Sequence, residues 1–129
     1  MPVRIVQLGT PRAADEGLRL GTVRRPPRGV PKTEYAKRDF YDLWLPDLAP
    51  SAPLVSWATA EEWSDARWKR FAQAYRREMR PAEKQRLIAL LATLSHQTNL
   101  SVGCYCDDEA HCHRSLLREL LVHAGADVK

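Results

Sequence analysis

The feature that most constrains the fold is a strand-like segment, a cysteine-rich loop and a helix-like segment that follow one another near the end of the chain. Residues 100–104 (LSVGC) alternate in the way that a strand does. After the loop, a leucine face with helical spacing ends at Gly125 and is formed by Leu116, Leu117, Leu120 and Leu121. A strand that leads into a helix needs neighbouring strands to pair with, so the rest of the chain must supply them.

The amino-terminal part of the sequence supplies those strands. Residues 3–8 (VRIVQL) and 18–23 (LRLGTV) predict two short strands, and residues 40–45 (FYDLWL) predict a third. Residues 46–53 contain several prolines and predict a connection. Together with residues 100–104, these segments predict a small parallel or mixed sheet.

Two long helices are predicted between the early strands and the last one. Thr59 is followed by a glutamate three positions later, which fits a capping box and predicts a helix from there to Met79. Pro81 suits a first helical position, and a leucine stripe follows it. We therefore expect one α/β domain over residues 1–129, with three layers in a Rossmann-like arrangement of helices around a sheet.

The predicted site is the edge of the sheet where the strands end and the chain leaves toward helices. The proline-rich basic loop (residues 24–29) follows the second strand, and the cysteine loop (residues 105–112) follows the last strand. If these two strands are parallel, both loops meet at one edge. The residues predicted to bind a ligand there are Arg24, Arg25, Arg28, Gly29 and Tyr105.

The start of the last helix carries the residues predicted to perform chemistry. Cys112 stands next to free backbone N–H groups and the positive end of the helix dipole, which favours its thiolate form. The hypothesis assigns Cys112 as nucleophile or redox thiol, His113 as acid or base, and Arg114 as an anion clamp. The alternative is that Cys112 only packs, while His113, Arg114 and the basic loop are solvated.

A metal site is a third interpretation of the same segment. Thiolate and imidazole ligands for zinc are available from Cys104, Cys106, Cys112 and either His111 or His113. Against it, the paired Cys-x-x-Cys motifs of many zinc sites are missing. Zinc is nevertheless the one cofactor that these residues suggest.

Composition excludes several classes of protein. There is no apolar run of membrane-spanning length, and charged residues interrupt the amino terminus where a signal peptide needs apolar ones, so we expect a cytoplasmic protein without a membrane partner. Three cysteines within nine residues do not form a disulfide framework. A net charge of +4 permits an anionic ligand or weak nucleic-acid contact. Nothing in the sequence indicates an oligomeric state.

Several blocks of sequence resemble a known family. These blocks are residues 15–20 (DEGLRL), 25–30 (RPPRGV), 44–51 (WLPDLAPS) and the triplet Cys112-His113-Arg114. Together they resemble the domain of unknown function 488 family, in its short YeaO-like branch, over nearly the whole chain. The resemblance implies a compact α/β domain whose cysteine and arginine loops are suspected to be catalytic.

The sequence favours an enzyme or sensor that binds a small anionic ligand, such as a nucleotide or phosphorylated metabolite, at a Cys/His/Arg site. The alternative is a zinc-stabilised module that binds nucleic acid or a protein.

Overall fold

The centre of the protein is a parallel sheet of four strands, seen in a computed structural model that describes residues 2–129. The strand order is β1-β4-β2-β3, and every neighbouring pair is parallel. The strands are β1 (Val3–Gln7), β2 (Leu18–Gly21), β3 (Leu43–Trp44) and β4 (Leu100–Cys104). The last strand is thus inserted between the first two, as a helical crossover allows.

Four α-helices flank the sheet, and the helices connecting β3 to β4 form the crossover. They are α1 (Ala52–Thr59), α2 (Asp65–Glu78), α3 (Ala82–Leu94) and α4 (His113–His123). Short 3-10 helices occur at Lys32–Glu34, Pro46–Leu48 and Glu109–His111. This arrangement confirms the predicted α/β fold with a small sheet and helices. Within residues 2–129, no helix has the length and apolar character needed to cross a membrane.

The two faces of the sheet are covered differently. On one face, Leu20, Leu100 and Val102 pack in a buried cluster with apolar side chains of α2, α3 and α4. On the other face, a side chain at Gly21 would collide with the ring of Tyr41, so the glycine lets the segment before β3 lie against the sheet. The helical layer and this segment together bury the central strands.

A buried ion pair fixes the chain between β1 and β2. The carboxylate of Glu16 accepts hydrogen bonds from Arg19 Nε at 2.6 Å and Nη2 at 2.8 Å. Ser101 Oγ, on β4, donates to the same carboxylate at 2.7 Å. Arg19 also donates to the carbonyl oxygens of Thr10 and Asp39. Because nearly every charge and polar atom of this pair is satisfied, it joins three segments without leaving an unpaired charge.

The predicted capping box at Thr59 is wrong. Thr59 is the last residue of α1, and its hydroxyl donates back to the carbonyl of Val55. The helix to Glu78 starts later, where the Ser64 hydroxyl accepts a hydrogen bond from the N–H of Arg67. The proline-rich connection predicted over residues 46–53 ends at Ser51, because Ser51 caps α1 and the helix begins at Ala52.

Different residues cap α4 and the 3-10 helix before it. The Asp108 carboxylate accepts a hydrogen bond from the N–H of Ala110 and caps the 3-10 helix Glu109–His111. Cys112 is the N-cap of α4 and makes no side-chain capping bond.

The third strand is two residues long instead of six, because only Leu43 and Trp44 pair with β2.

Candidate functional site

The basic loop and the cysteine loop leave the same edge of the sheet. Strands β2 and β4 are parallel neighbours, with Gly21 opposite Gly103. The carbonyl of Gly103 accepts hydrogen bonds from both the N–H and the hydroxyl of Thr22, at 3.0 and 2.9 Å. These bonds hold the two strand ends together, so both loops start from fixed positions.

A cavity of about 860 Å³ lies between the two loops. The arginines of the basic loop line one part of it, and the cysteines line another. Aromatic rings also contribute to its lining, namely Phe40, Trp63, Phe71 and Tyr105. The cavity thus combines cations, sulfur atoms and flat apolar surfaces at the carboxyl edge of a parallel sheet, where α/β proteins bind ligands.

The three cysteines form a cluster, which we call the cysteine cluster (Cys104, Cys106 and Cys112). Their Sγ atoms all lie within 4.8 Å of one another, and Cys104 Sγ is 3.7 Å from Cys106 Sγ. Cys104 is the last residue of β4 and Cys112 precedes α4; both are buried, whereas Cys106 is exposed. Strand and helix therefore place thiols that are eight residues apart side by side.

Contact among the three thiols gives them different pKa values. Hydrogen bonds from the thiols of Cys104 and Cys112, with the charge of Arg114, lower the pKa of Cys106 to about 2. The hydrogen bond with Cys106 raises the pKa of Cys104 to about 11. Hydrogen bonds with both neighbours and burial raise the pKa of Cys112, which is opposite to the direction predicted from its position at the helix start. The cluster thus favours one negative charge, on Cys106, because two thiolates in contact repel each other.

His113 is buried, with 5% of its surface exposed. Its Nε2 atom lies 2.6 Å from the carbonyl oxygen of Thr22, and a carbonyl can only accept, so Nε2 carries the hydrogen. Its Nδ1 atom then has a free lone pair and lies 3.8 Å from Cys112 Sγ. Burial lowers the pKa of His113 to about 4, so the ring is neutral at pH 7.

Arg114 is buried as well, with 4% of its surface exposed. Its Nη2 atom donates to the carbonyl oxygen of Cys106 at 2.6 Å. Its Nε atom is buried without a hydrogen-bond partner, and within residues 2–129 no carboxylate forms an ion pair with it. Arg114 does not line the cavity, so it acts on the site through the position and charge of Cys106.

The residues of the basic loop differ in what their side chains do. The guanidinium of Arg24 donates to the carbonyl oxygens of Pro46, Ala49 and Pro50. Arg25 and Arg28 are exposed, line the cavity and, among the described residues, have no carboxylate partner. Tyr105 lines the cavity too, and its hydroxyl donates to the carbonyl oxygen of Arg25 at 2.9 Å. Gly29 has a φ of 72°, which favours glycine, and it does not line the cavity.

Comparison with known proteins adds the family. The family model described as "Active DUF488-N3 subclade" matches residues 3–125, a range that includes both loops and all four strands. The chain belongs to the DUF488 family. This confirms the resemblance seen in the sequence blocks. No curated protein and no solved structure matches this DUF488 chain.

The structure of the DUF488 chain keeps His111 apart from the cysteine cluster. Its Nδ1 atom is 3.0 Å from the carboxylate of Asp108, and its ring stacks on Trp63 with 5.8 Å between centroids. His111 lines the cavity, but among the described residues the group of atoms close enough to share a metal contains only the three sulfurs. A metal bound at this cluster would therefore have the cysteines as its protein ligands.

Some residues of the site in this DUF488 protein were not singled out from the sequence. Trp63 and Phe71 line the cavity, and Phe71 is at the same time a buried residue of α2. Trp44 does not line this cavity, and its indole N–H donates to the carbonyl of Val23. The helical period predicts which side is apolar, but not where a cavity interrupts the packing.

Proposed function

We propose that this protein binds a small anionic ligand, a nucleotide or a phosphorylated metabolite, as an enzyme or a sensor. The binding site is the cavity between the basic loop and the cysteine cluster. The observation that carries the proposal is that Arg25 and Arg28 line this cavity without a carboxylate partner among the described residues. Guanidinium groups of this kind suit phosphate or carboxylate oxygens, to which they can donate two parallel hydrogen bonds.

The charge of the lining supports an anion. Among residues 2–129, Glu61 is the only acidic residue that lines the cavity. Its carboxylate lies 3.6 Å from a guanidinium nitrogen of Arg67, so its charge is partly compensated. The volume of about 860 Å³ is within the usual range for small-molecule sites. A ligand of the size of a mononucleotide fits such a space.

The aromatic lining supports a ligand with a flat ring. Trp63 packs edge-on against Phe71, and Phe40 packs edge-on against Tyr105, so two separate aromatic pairs line the cavity. A nucleobase gains most from such surfaces, since it can stack on rings while its phosphate reaches the arginines. This favours a nucleotide over a phosphate ester without a ring.

The catalytic roles assigned to Cys112, His113 and Arg114 stay a prediction. Cys112 and His113 line the cavity but are buried, with 2% and 5% of their surfaces exposed. Cys106 is the exposed thiol of the cluster and lines the same cavity. If a ligand contacts sulfur directly, the geometry favours Cys106 as the sulfur that it reaches.

Calorimetric titration tests the proposal with adenosine monophosphate, ribose 5-phosphate and inorganic phosphate, and with adenosine as the uncharged control. The double variant R25A/R28A removes the proposed clamp. The matched control R80A/R86A also removes two positive charges, but from exposed positions outside the cavity. We expect R25A/R28A to weaken phosphate-dependent binding by about tenfold or more, since a hydrogen bond to a charged group contributes about 1.5–3 kcal/mol.

Two results would overturn the proposal. One is that none of the three phosphate compounds binds at millimolar concentration. The other is that R25A/R28A and R80A/R86A bind them equally well, which would mean that net charge alone attracts the anion.

A further inference from the structure

We propose that the cysteine cluster binds a zinc ion through three thiolates and that the fourth coordination position of this ion opens into the cavity. The proposal deepens the proposed function, because the ion would contact the ligand of the same cavity. It differs from the zinc-stabilised module considered from the sequence, in which a histidine completes a closed site. Three observations support it. They are the distances between the sulfur atoms, the backbone contacts that position the three cysteines, and the charge around the cluster.

The spacing of the sulfur atoms matches a tetrahedral thiolate site. A Zn–S bond is about 2.3 Å long, so two sulfurs of a tetrahedral site are about 3.8 Å apart. Cys104 Sγ and Cys106 Sγ are 3.7 Å apart, and all three sulfurs lie within 4.8 Å of one another. The two sulfur–sulfur distances that involve Cys112 therefore exceed the tetrahedral spacing by at most about 1 Å.

The backbone holds each sulfur in place before an ion arrives. Cys104 ends β4, which is paired on both sides by β1 and β2. Cys112 is the N-cap of α4, and the carbonyl of Cys106 is held by Arg114. Such preorganisation reduces the conformational entropy lost on binding and favours a tight site.

The charge around the cluster suits the complex. Three thiolates and a divalent ion carry a net charge of −1. Arg114 is a buried cation, its Nε atom has no hydrogen-bond partner, and no carboxylate within residues 2–129 pairs with it. A buried charge without a counter-charge is costly, and a negative zinc–thiolate complex beside Cys106 would supply the missing partner.

The fourth position would remain open because, among residues 2–129, no histidine nitrogen lies within 4.8 Å of all three sulfurs. Nε2 of His113 donates to Thr22, and its Nδ1 atom lies 3.8 Å from Cys112 Sγ but is not close to all three sulfurs. His111 pairs with Asp108 and stacks on Trp63. The three cysteines all line the cavity, so a ligand in the cavity can reach an ion bound by them. Three protein ligands and one exchangeable position are the pattern of zinc ions that act on substrates, whereas structural zinc has four.

Cobalt(II), a spectroscopic substitute for zinc, tests the site in the reduced, metal-free, full-length protein. We expect one equivalent to give thiolate-to-cobalt charge-transfer absorption and tetrahedral ligand-field bands, and zinc to abolish them by displacement. The variant C106S changes an exposed residue and should fold, as circular dichroism can check, but should lose the charge-transfer band or weaken cobalt binding at least tenfold. The matched control H111A should bind cobalt as the wild type does.

Imidazole then tests whether the fourth position is open. Added to the cobalt protein, it should shift the ligand-field bands, because it replaces a bound water. A folded, reduced protein without the charge-transfer band, an unchanged spectrum in C106S, or loss of the band in H111A would overturn the proposal. Unaltered bands on adding imidazole would overturn the open position.

The two proposals fail separately. Phosphate compounds are titrated into the metal-free protein, whereas cobalt is titrated without them. Cobalt binding without phosphate binding would contradict the proposed function alone, and the reverse result would contradict the metal site alone.

Discussion

The Nε2 atom of His113 lies 2.6 Å from the carbonyl oxygen of Thr22, so the first residue of α4 is tied to the residue after β2. This hydrogen bond links the two loops that form the cavity. It also fixes the tautomer of the ring and points Nδ1 toward Cys112. His113 therefore holds the start of α4 against the end of β2.

The H113A variant should be destabilised by about 2–3 kcal/mol, because it leaves the Thr22 carbonyl buried without a partner and removes a buried ring. The measurement is the free energy of unfolding from urea titration. H123A, at the exposed end of the same helix, should change stability by less than about 0.5 kcal/mol. Equal effects in the two variants would contradict the assignment.

The R24A variant should lose stability, because its guanidinium binds the carbonyls of Pro46, Ala49 and Pro50 ahead of α1. We expect a cost of about 1–3 kcal/mol, since carbonyls lose their partners. R25A, one residue along, should cost less than about 0.5 kcal/mol while weakening phosphate binding. Urea unfolding and calorimetry on both variants check this, and a stable R24A would show that the three hydrogen bonds contribute nothing.

Glu16 should make the free energy of unfolding depend on pH in the acid range. Burial alone would raise the pKa of Glu16, but hydrogen bonds from Arg19 and Ser101 outweigh it and lower the pKa below the ordinary value of 4.5. The folded state then binds its proton less readily than the unfolded state, so this stabilisation is complete above pH 4.5 and is lost as pH falls through the lowered pKa.

The comparison of wild type with E16Q measures this contribution. At pH 7 we expect E16Q to be less stable by about 3–5 kcal/mol, since it leaves Arg19 as an unpaired buried charge. The gap should narrow below pH 4.5 as Glu16 becomes protonated in the wild type. E83Q, an exposed carboxylate-to-amide change in α3, should change stability at pH 7 by less than about 0.5 kcal/mol. A gap that is constant with pH would contradict the role given to the Glu16 carboxylate.

Thiol labelling should reveal one fast-reacting cysteine in the metal-free protein. Cys106 is exposed, while Cys104 and Cys112 are buried. A disulfide reagent such as Ellman's should therefore react quickly with one of three thiols in the folded protein and with all of them in urea. The fast phase should disappear in C106S and persist in the matched variant C104S. A fast phase in C106S would place the accessible thiol elsewhere.

The helix boundaries show where local sequence patterns are not sufficient to predict the structure. Ser51 and Pro53 are a start signal for α1 as valid as the one assigned to Thr59, and the competing signals lie eight residues apart. Ser51 is the actual cap because Glu78, at the end of α2, accepts hydrogen bonds from its N–H and hydroxyl at 2.8 and 2.5 Å. That contact spans 27 residues, so no local pattern contains it.

The sequence by itself determined the α/β class, the order of the main strands and helices, and the two loops that flank the cavity. It could do so because hydrophobic periodicity and chain direction are local properties, and because parallel strands end at one edge. Only the tertiary structure decided that β4 lies between β1 and β2, that three thiols converge, and that Arg24 binds carbonyls while Arg25 and Arg28 line the cavity. These outcomes depend on contacts between distant residues, whose distances and burial are fixed by packing of the whole chain.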